Sequence, residues 1–187
     1  ILKDVSEKDD IYEFVQKRMV GIFRNLRMRK NDNDFMPQMV REYHKRFIEI
    51  KEKYNKKNKI SLNEISYRDI LSMANHSIAI AEVFPESALN YNNSAAIKAY
   101  EKGLFTIANK FFNNCLDIIS KYDTQIQIDN YLELFIIYSK SLLDEQSSIE
   151  RVDRCLEKAK DIIDKMSRGA DKEYAKLEIK LIDCLKF

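Results

Sequence analysis

Residues 89–122 read LNYNNSAAIKAYEKGLFTIANKFFNNCLDIISKY, and this stretch decides the fold. Its apolar residues recur at the helical period on both sides of Gly103, which predicts two helices joined by a turn at that glycine. Ala96 and Ala108 are small, and we expect them where the two helices approach most closely. Larger side chains should fill the space around this contact: Tyr100, Phe105 and Phe112.

The same helical period continues along almost the whole chain. Only 3 of the 187 residues are Gly and 2 are Pro, so breaks are few and long helices are favoured. We predict an all-α protein of seven or eight helices in antiparallel hairpins, arranged as an α-solenoid or as a helical bundle. The expected helices span approximately residues 9–29, 37–54, 61–84, 88–102, 105–121, 128–143, 149–166 and 172–185. Pro85 is expected to end the third helix, and Gly169 lies where the seventh should stop.

Residues 89–122 resemble one tetratricopeptide repeat, and residues 131–166 resemble a second, degenerate copy. The first match rests on Ala96, Tyr100, Gly103, Phe105, Ala108, Phe112, Cys115 and Leu116. The second rests on Leu134, Tyr138, Val152, Leu156 and Ala159. Asn92 departs from the family, which usually has a large aromatic residue there. The resemblance implies stacked helical hairpins with a groove that accepts a peptide or helix of another protein.

The resemblance also implies which side chains line that groove. On the first helix of the matching repeat they are Asn93, Ile97, Tyr100 and Glu101. Family members that hold the carboxyl terminus of a heat-shock chaperone use Lys and Asn there. Because Ile97 and Glu101 depart from that pattern, we expect a more apolar ligand.

Charge is distributed unevenly along a chain whose formal net charge is only +2. Residues 17–59 contain 14 Lys and Arg against 5 acidic residues, a net charge of +9. We therefore distinguish a basic amino-terminal hairpin, residues 1–59, from a repeat-like region, residues 60–187, and expect both to form one continuous domain. The densest cluster is a predicted contact surface for an acidic partner: Arg24, Arg27, Arg29 and Lys30. A solvated face and a nucleic-acid site are the alternatives.

No sequence pattern indicates catalysis, a metal or another cofactor. His44 and His76 are the only histidines, and neither metal-ligand spacing nor a phosphate loop nor a nucleophile elbow is present. Spacing alone leaves a Cys–His pair open. We expect Cys115, Cys155 and Cys184 to be reduced and mostly buried, as suits a cytoplasmic protein. No apolar run approaches the length of a membrane span.

These observations favour a protein that is not an enzyme, an adaptor or scaffold that binds a peptide or helix of a partner protein. Two other classes stay open. One is the ligand-sensing helical domain of a transcriptional regulator. The other is a nucleic-acid-associated helical protein that uses the basic residues 17–59. The sequence leaves the oligomeric state open.

Overall fold

Seven α-helices make up most of the chain that the computed structural model describes, residues 35–122, 131–166 and 169–186. They are α1 (Phe35–Lys57), α2 (Tyr67–Ile78), α3 (Pro85–Glu101), α4 (Phe105–Tyr122), α5 (Leu132–Asp144), α6 (Ile149–Lys165) and α7 (Ala170–Leu185). These described ranges contain no strand, which confirms the predicted all-α class. The helix predicted at residues 9–29 lies outside the described residues.

The helices pack mainly on their neighbours in the sequence. Contacts are most extensive between α3 and α4, between α5 and α6, and between α2 and α3. Since the connections within these pairs are short, the paired helices run antiparallel. One cluster of buried side chains extends from Ile48 on α1 to Ile182 on α7. The seven helices therefore share a core.

The α3–α4 hairpin closes at the predicted glycine. Gly103 adopts a left-handed conformation with φ +70°. Its N–H donates to the Tyr100 carbonyl at 2.8 Å, and the Leu104 N–H donates to the Ala99 carbonyl at 2.9 Å. This pair of bonds is a Schellman motif, which satisfies the last carbonyl groups of α3. Of the residues expected at or near the helix contact, Ala96, Ala108 and Phe112 are fully buried, whereas Tyr100 and Phe105 are only partly buried.

The third predicted helix is shorter than expected. The Ser61–Glu64 capping box forms, with the Ser61 N–H donating to the Glu64 carboxylate at 2.8 Å, but it caps only one 3₁₀ turn. A second cap, Ser66, begins α2 by accepting a hydrogen bond from the Asp69 N–H at 3.1 Å. The predicted capping box is therefore present, but α2 begins at Ser66 and not at Ser61.

Two residues predicted to stop helices lie at helix starts. Pro85 occupies the first turn of α3, where its missing N–H needs no partner. The prediction that α2 reaches Phe84 is wrong, because α2 ends at Ile78. Gly169 caps the start of α7, and α6 ends at Lys165, within one residue of its predicted end. The error at Pro85 arises because proline marks a helix boundary without saying on which side the helix lies.

Two other helix ends adopt the left-handed conformation without a glycine. Lys59, after α1, has φ +54°, and Gln146, after α5, has φ +56°. The Gln146 N–H donates to the Leu143 carbonyl at 2.9 Å, and the Ser147 N–H donates to the Leu142 carbonyl at 2.8 Å. A side chain at such a position costs roughly 1–2 kcal/mol, so both turns are strained.

Asn92 connects three helices through a fully buried side-chain amide. Its Nδ2 lies 2.8 Å from the Ala88 carbonyl oxygen within α3 and 3.2 Å from the Ser77 Oγ on α2. Its Oδ1 accepts a hydrogen bond from Asn114 on α4 at 3.0 Å. A large aromatic side chain at this position could not make these bonds.

Candidate functional site

The predicted groove residues lie on α3, and most of their side chains are already partly packed. Asn93 is half-buried, and its Oδ1 has no hydrogen-bond partner among the described residues. Ile97 packs against the core. Burial, together with a hydrogen bond to Asp144, raises the pKa of Tyr100 to about 12. Glu101 is exposed at the end of α3. Their role in partner binding stays a prediction.

A cleft of about 720 Å³ opens between α4, α5 and α6, and none of the predicted groove residues lines it. The Tyr138 ring in its floor stacks on Phe112, with ring centroids 5.0 Å apart. This contact holds the floor of the cleft against the core. The floor is built from apolar or buried side chains: Leu116, Ile119, Phe135, Tyr138 and Cys155.

Three cations line one side of this cleft. Arg151, Arg154 and Lys158 follow one another at the i, i+3 and i+7 positions of α6, so they share one face of the helix. We call this set the cationic rim. Among the described residues, no acidic side chain lines the cleft, and no salt bridge within 4 Å neutralises the rim. The cleft therefore presents positive charge beside an apolar floor.

Hydrogen bonds hold the first of these cations in place. The Arg151 guanidinium donates to the Tyr138 hydroxyl at 2.8 Å and to the Asn113 Oδ1 at 3.2 Å. The Tyr138 hydroxyl in turn donates to the same Asn113 oxygen at 2.6 Å. Arg154 and Lys158 are exposed. Arg151 is thus oriented in advance, whereas Arg154 makes only a long hydrogen bond to the Glu150 carbonyl at 3.4 Å.

Sequence reasoning missed this site, although its spacing is visible in residues 151–158. The three cations could be placed on one helical face from the sequence alone. What the sequence could not supply is the position of α6 beside Asn113 of α4 and Tyr138 of α5, because those contacts join residues distant in the chain.

The cysteines do not form a nucleophilic site. Cys115 and Cys155 are buried and Cys184 is exposed, so the expected burial is confirmed for two of the three free thiols. Burial raises the pKa of the Cys155 thiol in the cleft to about 12 and raises that of Cys115 as well. Both thiols are therefore protonated at neutral pH, and a protonated thiol is a poor nucleophile.

The two histidines, which the sequence places on separate helices, meet at the contact between α1 and α2. Their Nδ1 atoms lie 2.9 Å apart, so one ring donates a hydrogen bond and the other accepts it. His76 also stacks on Phe47 with ring centroids 3.9 Å apart. Burial lowers the pKa of both rings, and the proximity of His44 helps to lower that of His76 to about 4. At neutral pH the pair is uncharged.

The described residues supply few other candidate sites. Within them, no three or more His, Cys, Asp or Glu side chains cluster closely enough to hold a metal ion. None of the described helices has the length and apolar character needed to cross a membrane. The predicted basic patch lies outside the described residues: Arg24, Arg27, Arg29 and Lys30.

Comparisons with known proteins add no family to this description. No protein-family model matches the sequence, no curated protein is similar to it, and no solved structure matches its fold.

Proposed function

We propose that this chain is a non-enzymatic interaction module, an adaptor or scaffold that binds a segment of a partner protein in the cleft between α4, α5 and α6. The observation that carries the proposal is the unbalanced charge of the cleft, where three cations and no described carboxylate stand beside an apolar floor. A segment with an acidic residue next to an aliphatic one suits this cleft, because the carboxylate can pair with the cationic rim while the aliphatic side chain packs on the floor. We expect the module to act in the cytoplasm, since free cysteines suit a reducing compartment.

The floor of the cleft favours an aliphatic side chain over a nucleobase. Single-stranded nucleic acids bind largely by stacking their bases on accessible aromatic rings. Phe135 and Tyr138 are each only 1% exposed, so neither ring offers a face for stacking, and the more accessible apolar side chain of the floor is the partly exposed Leu116. The predicted basic residues 17–59 also favour an acidic partner. The α3 groove remains a second predicted contact surface of the same module.

A ligand-sensing domain is the second candidate function. Pockets for small ligands commonly measure about 300–1,000 Å³, and the cleft falls in this range. A small anion with an apolar body, such as a medium-chain fatty acid, would match the same rim and floor.

Selection of short random peptides displayed on phage tests the proposal. We expect wild-type protein to enrich peptides that carry acidic residues beside aliphatic ones. Arg154→Glu with Lys158→Glu should weaken binding of a selected peptide by about tenfold or more, and the loss should be larger at low salt. The matched control is Lys110→Glu with Lys165→Glu, which makes the same change in net charge at exposed positions outside the cleft.

Equal loss of affinity in the cleft variant and in the control would refute the proposed site. Failure to enrich any peptide, together with an increase in melting temperature on adding decanoate, would favour the sensing domain instead. Circular dichroism of each variant checks that the fold is retained.

A further inference from the structure

The last described helix, α7, has apolar residues on two different faces, about 120° apart around the helix axis. One face packs into the core through Ala175, Ile179 and Ile182, which are nearly or fully buried. The other carries side chains that are between 53% and 66% exposed: Tyr174, Leu177, Leu181 and Leu185. We call these four residues the α7 stripe. Their spacing of three, four and four residues keeps them in one line along the helix.

Such a stripe is unusual for a helix at the edge of a helical array. The described contacts of α7 are mainly with α5 and α6, on its inner face. An edge helix normally presents a polar outer face to water, because exposed apolar residues in a continuous row promote association. A helix that is apolar on both faces is typical of one covered on both sides.

We propose that the α7 stripe binds the α7 stripe of a second copy of this chain, with the two helices antiparallel about a two-fold axis. The spacing allows more than one register, and we take the one that also pairs the flanking charges described below. With the axis beside Leu177, Tyr174 of one copy lies against Leu181 of the other, and the converse contact forms at the same time. Two Leu177 side chains meet at the axis. Each copy thus uses the same surface, as a two-fold interface requires.

Charges at the edge of the stripe select this antiparallel arrangement. Glu173 and Lys180 are both exposed and lie two helical turns apart on the same side of the stripe. In the antiparallel register, Glu173 of each copy lies beside Lys180 of the other. In a parallel pair the two-fold axis would run along the helices, so this flank of one copy would lie on the opposite side of the interface from the same flank of the other, and Glu173 could not pair with Lys180. The present partner of Glu173 is Lys176 at 2.9 Å, an exposed pair that contributes little and is easily exchanged.

The interface is small. A single helix pair of this length covers less than the roughly 800 Å² per partner of a standard interface. We therefore expect a weak dimer with a dissociation constant in the micromolar range, populated at high local concentration. A dimer of this kind would also present two cation-rimmed clefts together, although the inference does not depend on the function of the cleft.

Sedimentation velocity over protein concentrations from about 1 to about 300 µM tests the proposal. Wild-type protein should shift from monomer to dimer in this range, and Leu177→Glu should remain monomeric. The matched control is Val83→Glu, at an apolar position of similar exposure (60%) outside α7, which should dimerise like the wild type.

Charge exchange tests the orientation of the helices. Glu173→Lys and Lys180→Glu should each weaken the dimer by about tenfold at low salt. The double variant, which exchanges both charges, should recover the wild-type affinity. A wild-type protein that stays monomeric throughout would overturn the proposal. A dimer that survives Leu177→Glu, or one that the double exchange fails to restore, would overturn it equally.

Discussion

Acidification should weaken the contact between α1 and α2, because it places positive charge on the His44–His76 pair. At neutral pH one ring donates to the other across 2.9 Å. A proton added to both rings removes the acceptor and leaves two like charges facing each other in a partly buried site. We therefore expect the free energy of unfolding to fall between neutral and mildly acidic pH.

The size of this loss follows from the pKa of His76. Burial and His44 lower it from 6.5 to about 4. Between these values the unfolded chain binds a proton that the folded chain does not, so the stabilisation is complete above pH 6.5 and is lost as the pH falls toward 4. For a fully shielded ring the loss at pH 5 is about 2 kcal/mol. Because both rings are partly exposed, solvent screening reduces the expected loss to about 1 kcal/mol.

Urea unfolding followed by circular dichroism measures this difference at about pH 7.5 and about pH 5. The control is the double variant His44→Gln with His76→Gln, in which the amide groups can still bond but do not titrate. Since these are the only histidines in the chain, the variant should have nearly the same stability at both pH values. A wild-type protein equally stable at both pH values would refute the reasoning, as would a double variant that loses as much stability as the wild type.

Three further predictions concern the helix ends, the core and the thiols. Gln146→Gly should raise the free energy of unfolding by about 0.5–1 kcal/mol, because glycine relieves the left-handed strain, and an unchanged urea midpoint would contradict this. Ala108→Leu should lower stability by about 1–3 kcal/mol by overpacking the α3–α4 contact, and a wild-type melting temperature would argue against that contact. A thiol reagent should label Cys184 quickly in the native state and Cys115 and Cys155 slowly, whereas rapid labelling of all three would contradict their burial.

Much of the fold could be predicted because its helices are amphipathic and their signals are local. The apolar period located six of the seven described helices to within a few residues, and Gly103 marked the one turn of the described ranges where a glycine adopts a positive φ. The turns at Lys59 and Gln146 could not be found in this way. They adopt the same conformation without the residue that favours it, and backbone hydrogen bonds to the last turn of the preceding helix close them.

The candidate sites were less predictable, because they depend on contacts between distant residues. His44 and His76 are 32 positions apart, and no spacing rule relates them. The cationic rim could be grouped from its spacing on α6, but the apolar floor beside it comes from α4 and α5. The groove residues predicted from the repeat resemblance lie on a single helix, and the resemblance itself carries no information about the cleft.

The buried amide of Asn92 has a consequence for how this protein opens. Because Asn92 on α3 bonds to Ser77 on α2 and to Asn114 on α4, separating any one of these helices leaves buried polar groups without partners. Opening a single hairpin by itself therefore has a high free-energy cost. Backbone amides of α2, α3 and α4 should exchange their hydrogens with solvent as one cooperative unit that extends beyond the α3–α4 hairpin.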